Sequence, residues 1–313
     1  MPTALPPALQ VSVIVPAYCS GATLPRAISA IASQSQPPLE IIVVDSSPSS
    51  DGGISLGDFP VPVRYFHVAR RLFPHQARNL GAAYAQGGLL LFTDPDIYPD
   101  HTWLETMLAA WQETGAVVFG ALACHGSRWL DVGAHFCKYH ICLPGGQPHA
   151  IDYGWSGAML VARTAFWAVG GFPQQHWAGD TILSAYLRRA GYPLWFAANA
   201  VAKHDHEAIS WRNLLRERFQ RGREFGVSLA DGAITGSAWA LPQLLRHVVG
   251  NLLLPLRVVL TVARIARQAQ AAGLLAAYLR TLPVILAGRT AWSVGNAAGY
   301  CDALLGRVRC MAR

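Results

Sequence analysis

The sequence predicts an α/β fold: an open, mostly parallel sheet with helices on both faces, followed by a helical, amphipathic C-terminal segment. Three observations predict it. Short β-branched runs alternate with helix-period segments from residue 11 to about 201. Several of those runs end in Asp or Pro at a turn. Beyond about residue 207 the composition shifts to long apolar stretches interrupted by arginines.

The elements follow in order. Residues 11–16 (VSVIVP) and 40–45 (EIIVVD) read as strands. Between them, Leu24, Ala27, Ile28 and Ile31 repeat at helical spacing, and Pro37-Pro38 ends the segment. Strand–helix–strand is the unit of a parallel sheet whose faces are covered. Residues 63–68 continue it as a strand, and 75–86 as a helix stopped by Gly87-Gly88. LLLFT at 89–93 is a buried strand ending at Asp94-Pro95-Asp96. A helix over 102–113 and a strand over 116–119 come next. From 124 to 155 the pattern weakens. GAMLVAR at 157–163 reads as a strand, 180–190 as a helix stopped by Gly191 and Pro193, and 194–201 as the last strand. Residues 212–223 form a basic helix.

Composition bounds the class. Hydrophobic residues make up 52% and charged residues 14% of the 313, which excludes a disordered chain. The net charge of +7 is uneven: residues 1–205 carry −2 and residues 206–313 carry +9. The six cysteines form no CxxC pair, and the first residues lack a basic-then-apolar leader pattern, so a reduced, cytosolic protein is expected. His135, Cys137, His140 and Cys142 cluster in sequence, but without the paired spacing of structural zinc sites. Ordinary packing, or lining of an acceptor pocket, is the reading they favour.

In open parallel sheets ligands sit beyond the carboxyl ends of the strands. Three features fall there: Pro16-Ala17-Tyr18, Asp45, and Asp94-Pro95-Asp96. A carboxylate at a strand end can bond a ribose hydroxyl or a base N–H. Two carboxylates one residue apart on a Pro-stiffened turn can hold a hard divalent cation that bridges diphosphate oxygens. Each feature alone has a plainer reading, a solvated turn for Asp94 and Asp96 and a strand-ending turn with Ser46-Ser47 for Asp45.

The stretch from Val11 to Ser47 resembles the opening of family 2 glycosyltransferases, with their strand, P-x-Y or P-x-F, helix, and strand ending VVDD or VVDS. ARNLGAAYAQGGLLLFTDPDIYPD is similar to the family's A-R-N-x-G and DxD stretch, and GAMLVARTAFWAVGGFP to its small-residue strand and G-G-F turn. The matches span roughly residues 11–204. The resemblance implies a GT-A, Rossmann-like catalytic domain over 1–206 and a nucleotide-sugar donor. It implies that Pro16, Ala17, Tyr18 and Asp45 frame the nucleotide, that Arg78 sits near it, and that Asp94 touches the ribose or donor sugar. Asp96 would bind Mn2+ or Mg2+, with His204 as a further metal ligand and His206 as its rival. The family's Glu-Asp pair after G-G-F, whose Asp is the general base, falls on Gly179 and Asp180: the Asp is kept and the Glu is not. Asp180 could equally serve as a helix N-cap.

The reaction so implied is an inverting transfer to an acceptor hydroxyl of a glycan or a lipid-linked sugar. Two alternatives stay open: a nucleotidyltransferase, although PAYCSGAT lacks the Gly-rich basic loop, and a non-catalytic binding module, which Gly179 keeps alive. Residues 207–313 form the second, helical region. No stretch in 241–313 has the roughly 18–20 uncharged apolar residues of a membrane span. Arg246, Arg257 and Arg264 share one helical direction, with Val248, Leu252, Val259 and Val262 opposite, and Pro255 is expected to kink the helix. This pattern suits a helix lying at the cytoplasmic face of the inner membrane. A packed helix with a solvated basic face is the competing reading. Nucleic acid is not an expected partner, because the arginines interleave with Leu, Val and Ala rather than with aromatics.

Overall fold

The computed structural model describes residues 9–48, 59–173, 178–230, 232, 234 and 253–306. In chain order its elements are β1 (Val11–Ala17), α1 (Leu24–Ala32), β2 (Glu40–Asp45), β3 (Val63–His67), α2 (Pro74–Tyr84), β4 (Leu89–Thr93), β5 (Ile97–Pro99), α3 (Trp103–Thr114) and β6 (Val117–Cys124). Then come α4 (Trp129–Tyr139), β7 (His149–Ala150), β8 (Ala158–Ala162), α5 (Arg163–Ala168), α6 (Gly179–Arg189), β9 (Leu194–His204), α7 (Trp211–Ala230), α8 (Leu254–Ala271) and α9 (Leu275–Leu304). They group into two compact units. The first gathers the described residues of 1–123, 147–174 and 183–205, and the second those of 124–146, 175–182 and 206–313.

The first unit is the expected open α/β sheet, in the order β3-β2-β1-β4-β8-β6-β9-β5, with β7 on β9. The strands β3, β2, β1 and β4 are all parallel. β8 runs antiparallel to β4 and β6, and β5 and β7 antiparallel to β9. β1, β2 and β4 are buried at every residue, which is why they read as unbroken apolar runs. The chain crosses from β1 to β2 in one direction and from β3 to β4 in the other. Right-handed crossovers therefore place α1 and α2 on opposite faces. α2 packs closely: a Cβ on Gly81 would stand 2.6 Å from Ile14 Cγ2. Buried Glu40 ties the first three strands together, accepting from Ser12 Oγ and Arg64 Nη1, each at 2.7 Å.

Most strand and helix limits lie close to those read from the sequence, but the basic helix α7 runs on to Ala230 instead of ending at 223, and one strand is also longer than expected. β6 runs on to Cys124. Gly120 to Ala123 carry little strand signal of their own, but Ala121 and Leu122 are fully buried, and burial decides. α4, β5, β7 and α5 were not legible as elements.

In the second unit α7 and α9 meet through four glycines. Cβ atoms on Gly222 and Gly226 would stand 2.0 and 2.2 Å from the carbonyl oxygens of Trp292 and Asn296. Those on Gly295 and Gly299 would stand 2.1 and 1.9 Å from the oxygens of Phe219 and Arg223. Only backbone-on-backbone contact fits such spacing. A second layer joins Phe136 and Cys137 of α4, Val258, Val262, Ile265 and Ala269 of α8, and Tyr278 and Ile285 of α9. The Cys137 thiol is pushed up to about 11 by burial, outweighing nearby arginines, so it remains a neutral packing group. Lys138 Nζ lies 2.6 Å from Glu217 Oε2. Burial acts to raise the Glu217 carboxyl, but Lys138, Arg218 and Arg221 prevail and hold it at about 2.

The helical register of the C-terminal region departs from expectation. Arg246, Val248 and Leu252 lie outside the described residues. Arg257 is only partly exposed, whereas Arg264 is exposed: Arg257 donates to Asn296 Oδ1 at 2.9 Å and lies over the Trp292 ring. Val259 is 59% exposed while Val262 is buried, so the apolar side read from the sequence is only partly packed. Arg257 follows α9 because a guanidinium can bond an amide and stack on an indole at once. Pro255 stands in the first turn of α8, where its missing N–H costs nothing, and it starts the helix rather than kinking it. Among the described residues no helix is long and apolar enough to cross a membrane.

The glycine contact has a testable sign. In an exposed helix Gly→Ala stabilises by about 1 kcal/mol. Gly299→Ala is expected instead to destabilise by about 1–3 kcal/mol, because its methyl meets a backbone oxygen that cannot move aside. Denaturant unfolding of the full chain reads the sign directly, and a stabilised variant would contradict this packing.

Candidate active site

The site is built where four parallel strands of the first unit end together. Ala17 and Asp45 are register partners on β1 and β2, and Ile14 of β1 pairs with Phe92 of β4, so the segments after these strands emerge at one sheet edge. Pro16 and Ala17 are buried in β1, and Tyr18 is the first exposed residue beyond it, at 38%. Arg71, which the sequence did not single out, lies 4.4 Å over the Tyr18 ring. Cys19 adopts φ 52° and donates its N–H to Ser47 Oγ at 2.8 Å, linking the loops after β1 and β2.

Asp45 is buried, and its carboxylate holds that loop. Oδ1 accepts from Ser47 N at 2.9 Å and from Ser47 Oγ, and Oδ2 accepts from Tyr65 Oη. The turn with Ser46-Ser47 is therefore real. A carboxylate has about four acceptor positions, so lone pairs remain for a ligand.

Arg78 is buried on α2 and donates to Asp94 Oδ1, fixing the start of the 94–96 turn. His75 Nδ1 lies 3.3 Å from the same guanidinium, and Phe172 packs against both residues. Gly157, preceding β8, is forced by this turn: a Cβ there would stand 2.8 Å from Ile97 Cδ1 and 3.2 Å from Asp94 Oδ2. Nothing in the local sequence marks that approach.

Asp96 and His204 are 108 positions apart and meet through β5 and β9. Ile97 pairs with His204, and Asp205 N donates to Asp96 O at 2.9 Å. His204 Nε2 then lies 3.5 Å from Asp96 Oδ2. A carboxylate oxygen and an imidazole nitrogen at that separation fit adjacent ligands of one divalent cation, whose bonds are about 2.0–2.2 Å, after a small side-chain rotation. The donor set suits a divalent cation. His206, the rival ligand, groups with the second unit, where its Nε2 lies 3.2 Å from His135 Nδ1.

Asp180 stands in the first turn of α6, after Gly179. It is inside the helix rather than at its N-cap, in the positive field of the helix start. It groups with the second unit. Of the sequence cluster at 135–142, Cys137 packs against α9, His140 Nδ1 lies 2.8 Å from Gln268 Oε1, and Cys142 Sγ donates to Tyr139 O. Burial first, then Arg289, pushes the His140 imidazole down to about 4.

Comparison with known proteins gives a consistent result. Residues 12–165 match the family described as glycosyl transferase family 2. A pre-mycofactocin glycosyltransferase of Mycobacterium tuberculosis is 26% identical over 72% of this chain and 47% of its own length. The O-antigen chain rhamnosyltransferase RfbN of Salmonella typhimurium is 24% identical over 70% of this chain and 72% of its own. The chain thus spans about half the length of the first of these relatives. The fold is shared with the mannosyltransferase PcManGT from Pyrobaculum calidifontis, solved with GDP-Man and Mn2+. That protein is 20% identical, with a TM-score of 0.53 over 88% of this chain and 87% of its own. It is shared also with S. aureus TarS 1–349, 16% identical, with a TM-score of 0.52 over 95% and 92%.

The two carboxylates of the turn are expected to differ in stability cost. Asp94→Ala strands the buried Arg78 cation, at about 3 kcal/mol. Asp96→Ala removes a longer contact to His204 and is expected to cost less than about 1 kcal/mol. Thermal unfolding of the two variants side by side checks the ranking, and equal costs would contradict it.

Proposed function

The chain belongs to the family 2 glycosyltransferases through residues 12–165, and we propose that it transfers a sugar from a nucleotide-diphosphate-sugar to an acceptor hydroxyl, with inversion at the anomeric carbon. One observation carries this reading: Asp96 and His204 converge beside an Arg78-held Asp94 at the carboxyl edge of the parallel strands.

In this reading Pro16, Ala17, Tyr18 and Asp45 frame the base and ribose, and Arg71 adds a cation beside Tyr18. Arg78 acts near the nucleotide by holding Asp94, which contacts the ribose or donor sugar. Asp96 and His204 would hold a divalent cation, Mn2+ or Mg2+, which supplies charge neutralisation to the leaving diphosphate. Asp180 takes the proton from the acceptor hydroxyl, and the hydroxyl attacks from the face opposite the diphosphate. A single displacement inverts the centre without a protein nucleophile. Residues 1–206 carry these roles.

Residues 207–313 attach the protein to an anionic membrane face, the cytoplasmic side of an inner membrane, where a lipid-linked or surface-glycan acceptor is concentrated. α8 supports this. Leu253, Leu256, Val259 and Leu260 are 49–59% exposed and recur at helical spacing, with exposed Arg264 and Arg267 following. α9 adds Leu279, 56% exposed, beside exposed Arg280. Of the register read from the sequence, Val259 joins this apolar contact and buried Val262 does not.

Calorimetric titration with nucleoside diphosphate and Mn2+ tests the donor site. Wild type is expected to show metal-dependent binding and Asp96→Ala to lose it. Asp180→Asn is expected to keep donor affinity and lose turnover by about 10²–10⁴. Donor affinity unchanged by Asp96→Ala would sink the metal assignment, and near wild-type turnover of Asp180→Asn would move the base elsewhere.

Flotation with anionic vesicles tests the attachment. Binding should weaken with salt, since each arginine near an anionic surface contributes about 1 kcal/mol. A Leu256→Asp, Leu260→Asp double variant should float poorly even at low salt. Absence of wild-type binding would leave α8 as a packed helix only.

A further inference from the structure

The second unit contains a donor set that the transfer reaction does not use. Cys124 ends β6, His135 lies in α4, and His206 follows β9. One ligand atom from each falls within 4.8 Å of the other two. His135 Nδ1 and His206 Nε2 are 3.2 Å apart, and both imidazoles are buried. Two nitrogens on one tetrahedral Zn2+, at bonds of about 2.0–2.1 Å, are held about 3.3–3.4 Å apart. The imidazole pair already has that span. Cys124 is partly exposed, which leaves a side open for a fourth ligand such as water. The Tyr139 ring packs beside both imidazoles, with its centroid 5.2 Å from that of His135 and 6.2 Å from that of His206.

We propose that Cys124, His135 and His206 bind one Zn2+ ion. Thiolate and imidazole donors select a borderline-soft cation over Mn2+ or Mg2+, whereas the carboxylates of the 94–96 turn favour the harder ions. The ion ties the neighbouring Cys124 and His135 to His206, which lies 71 positions beyond His135. Its part is to brace the second unit, with Zn2+ bound to native protein and not to the unfolded chain. The sequence hid the site because its ligands have no short spacing. The cluster of His135, Cys137, His140 and Cys142 contributes only its first member.

The test uses the full-length protein stripped with a chelator and titrated with Co2+ as a spectroscopic stand-in for Zn2+. Wild type is expected to develop a thiolate-to-cobalt charge-transfer band saturating at one ion per chain, and Zn2+ should bleach it. Cys124→Ser should abolish the band. His135→Gln should weaken Co2+ binding by more than the roughly 10–100-fold cost of losing an outer partner. Asp96→Ala should leave the band intact, which separates this site from the donor site. Alkylation of native wild-type protein needs no variant to fold: Zn2+ should slow labelling of Cys124 while the exposed Cys19 and Cys301 react as before. Absence of the band in wild type, its persistence in Cys124→Ser, or alkylation of Cys124 unaffected by Zn2+ would each overturn the assignment.

Discussion

The three-residue pairing of β5 with β9 is the constraint on which the first unit's chemistry depends. Ile97 opposite His204 fixes the register, and Asp205 N bonded to Asp96 O closes the ladder. A slip of one residue would turn the His204 side chain to the other face of the sheet. Asp96 and His204 would then no longer meet. Lys203 Nζ reaches Asp100 Oδ1 at 2.8 Å across the same short ladder and adds a modest surface contact. A long strand, β9, is thus pinned to a very short one so that two side chains converge.

Around that pair the protein assigns its carboxylates different work. Asp45 is largely occupied by Ser47 and Tyr65, and so fixes a loop. Asp94 is held by Arg78, itself packed beside the stacked rings of His75 and Phe172. Groups restrained in this way need little reorganisation when a charged ligand arrives, which is where electrostatic sites gain most of their effect. Gly157 belongs to the same device, because any side chain there would press on Asp94.

The second unit solves a different problem. Its helices are rich in arginine and glycine, both poor choices for a plain apolar bundle. The glycines let α7 and α9 approach until carbonyl oxygens would touch added methyl groups, so packing energy comes from close backbone contact. The charges are partly internalised instead of being left on one face: Lys138 with Glu217 and Arg218, and Arg257 with Asn296 and Trp292. Leu256, Val259 and Leu260 of the same region form an exposed apolar stripe.

The sequence by itself determined the parallel half of the sheet. β1, β2 and β4 are buried on both faces, and burial on both faces writes an unbroken apolar run that can be read locally. It also determined the strand-end positions of Pro16 to Tyr18, Asp45, Asp94 and Asp96, because a polar residue that closes such a run marks where the chain leaves the core. Only the tertiary structure decided which distant groups meet. Arg78 with Asp94, Asp96 with His204 and Cys124 with His135 and His206 depend on strand order and register, which no local period encodes. The helical register beyond residue 253 was likewise decided by partners. Arg257, read from its spacing as part of a basic interfacial stripe, is instead partly withdrawn onto Asn296 and Trp292, which offer it a hydrogen bond and a ring, while Leu256, Val259 and Leu260 nearby are exposed.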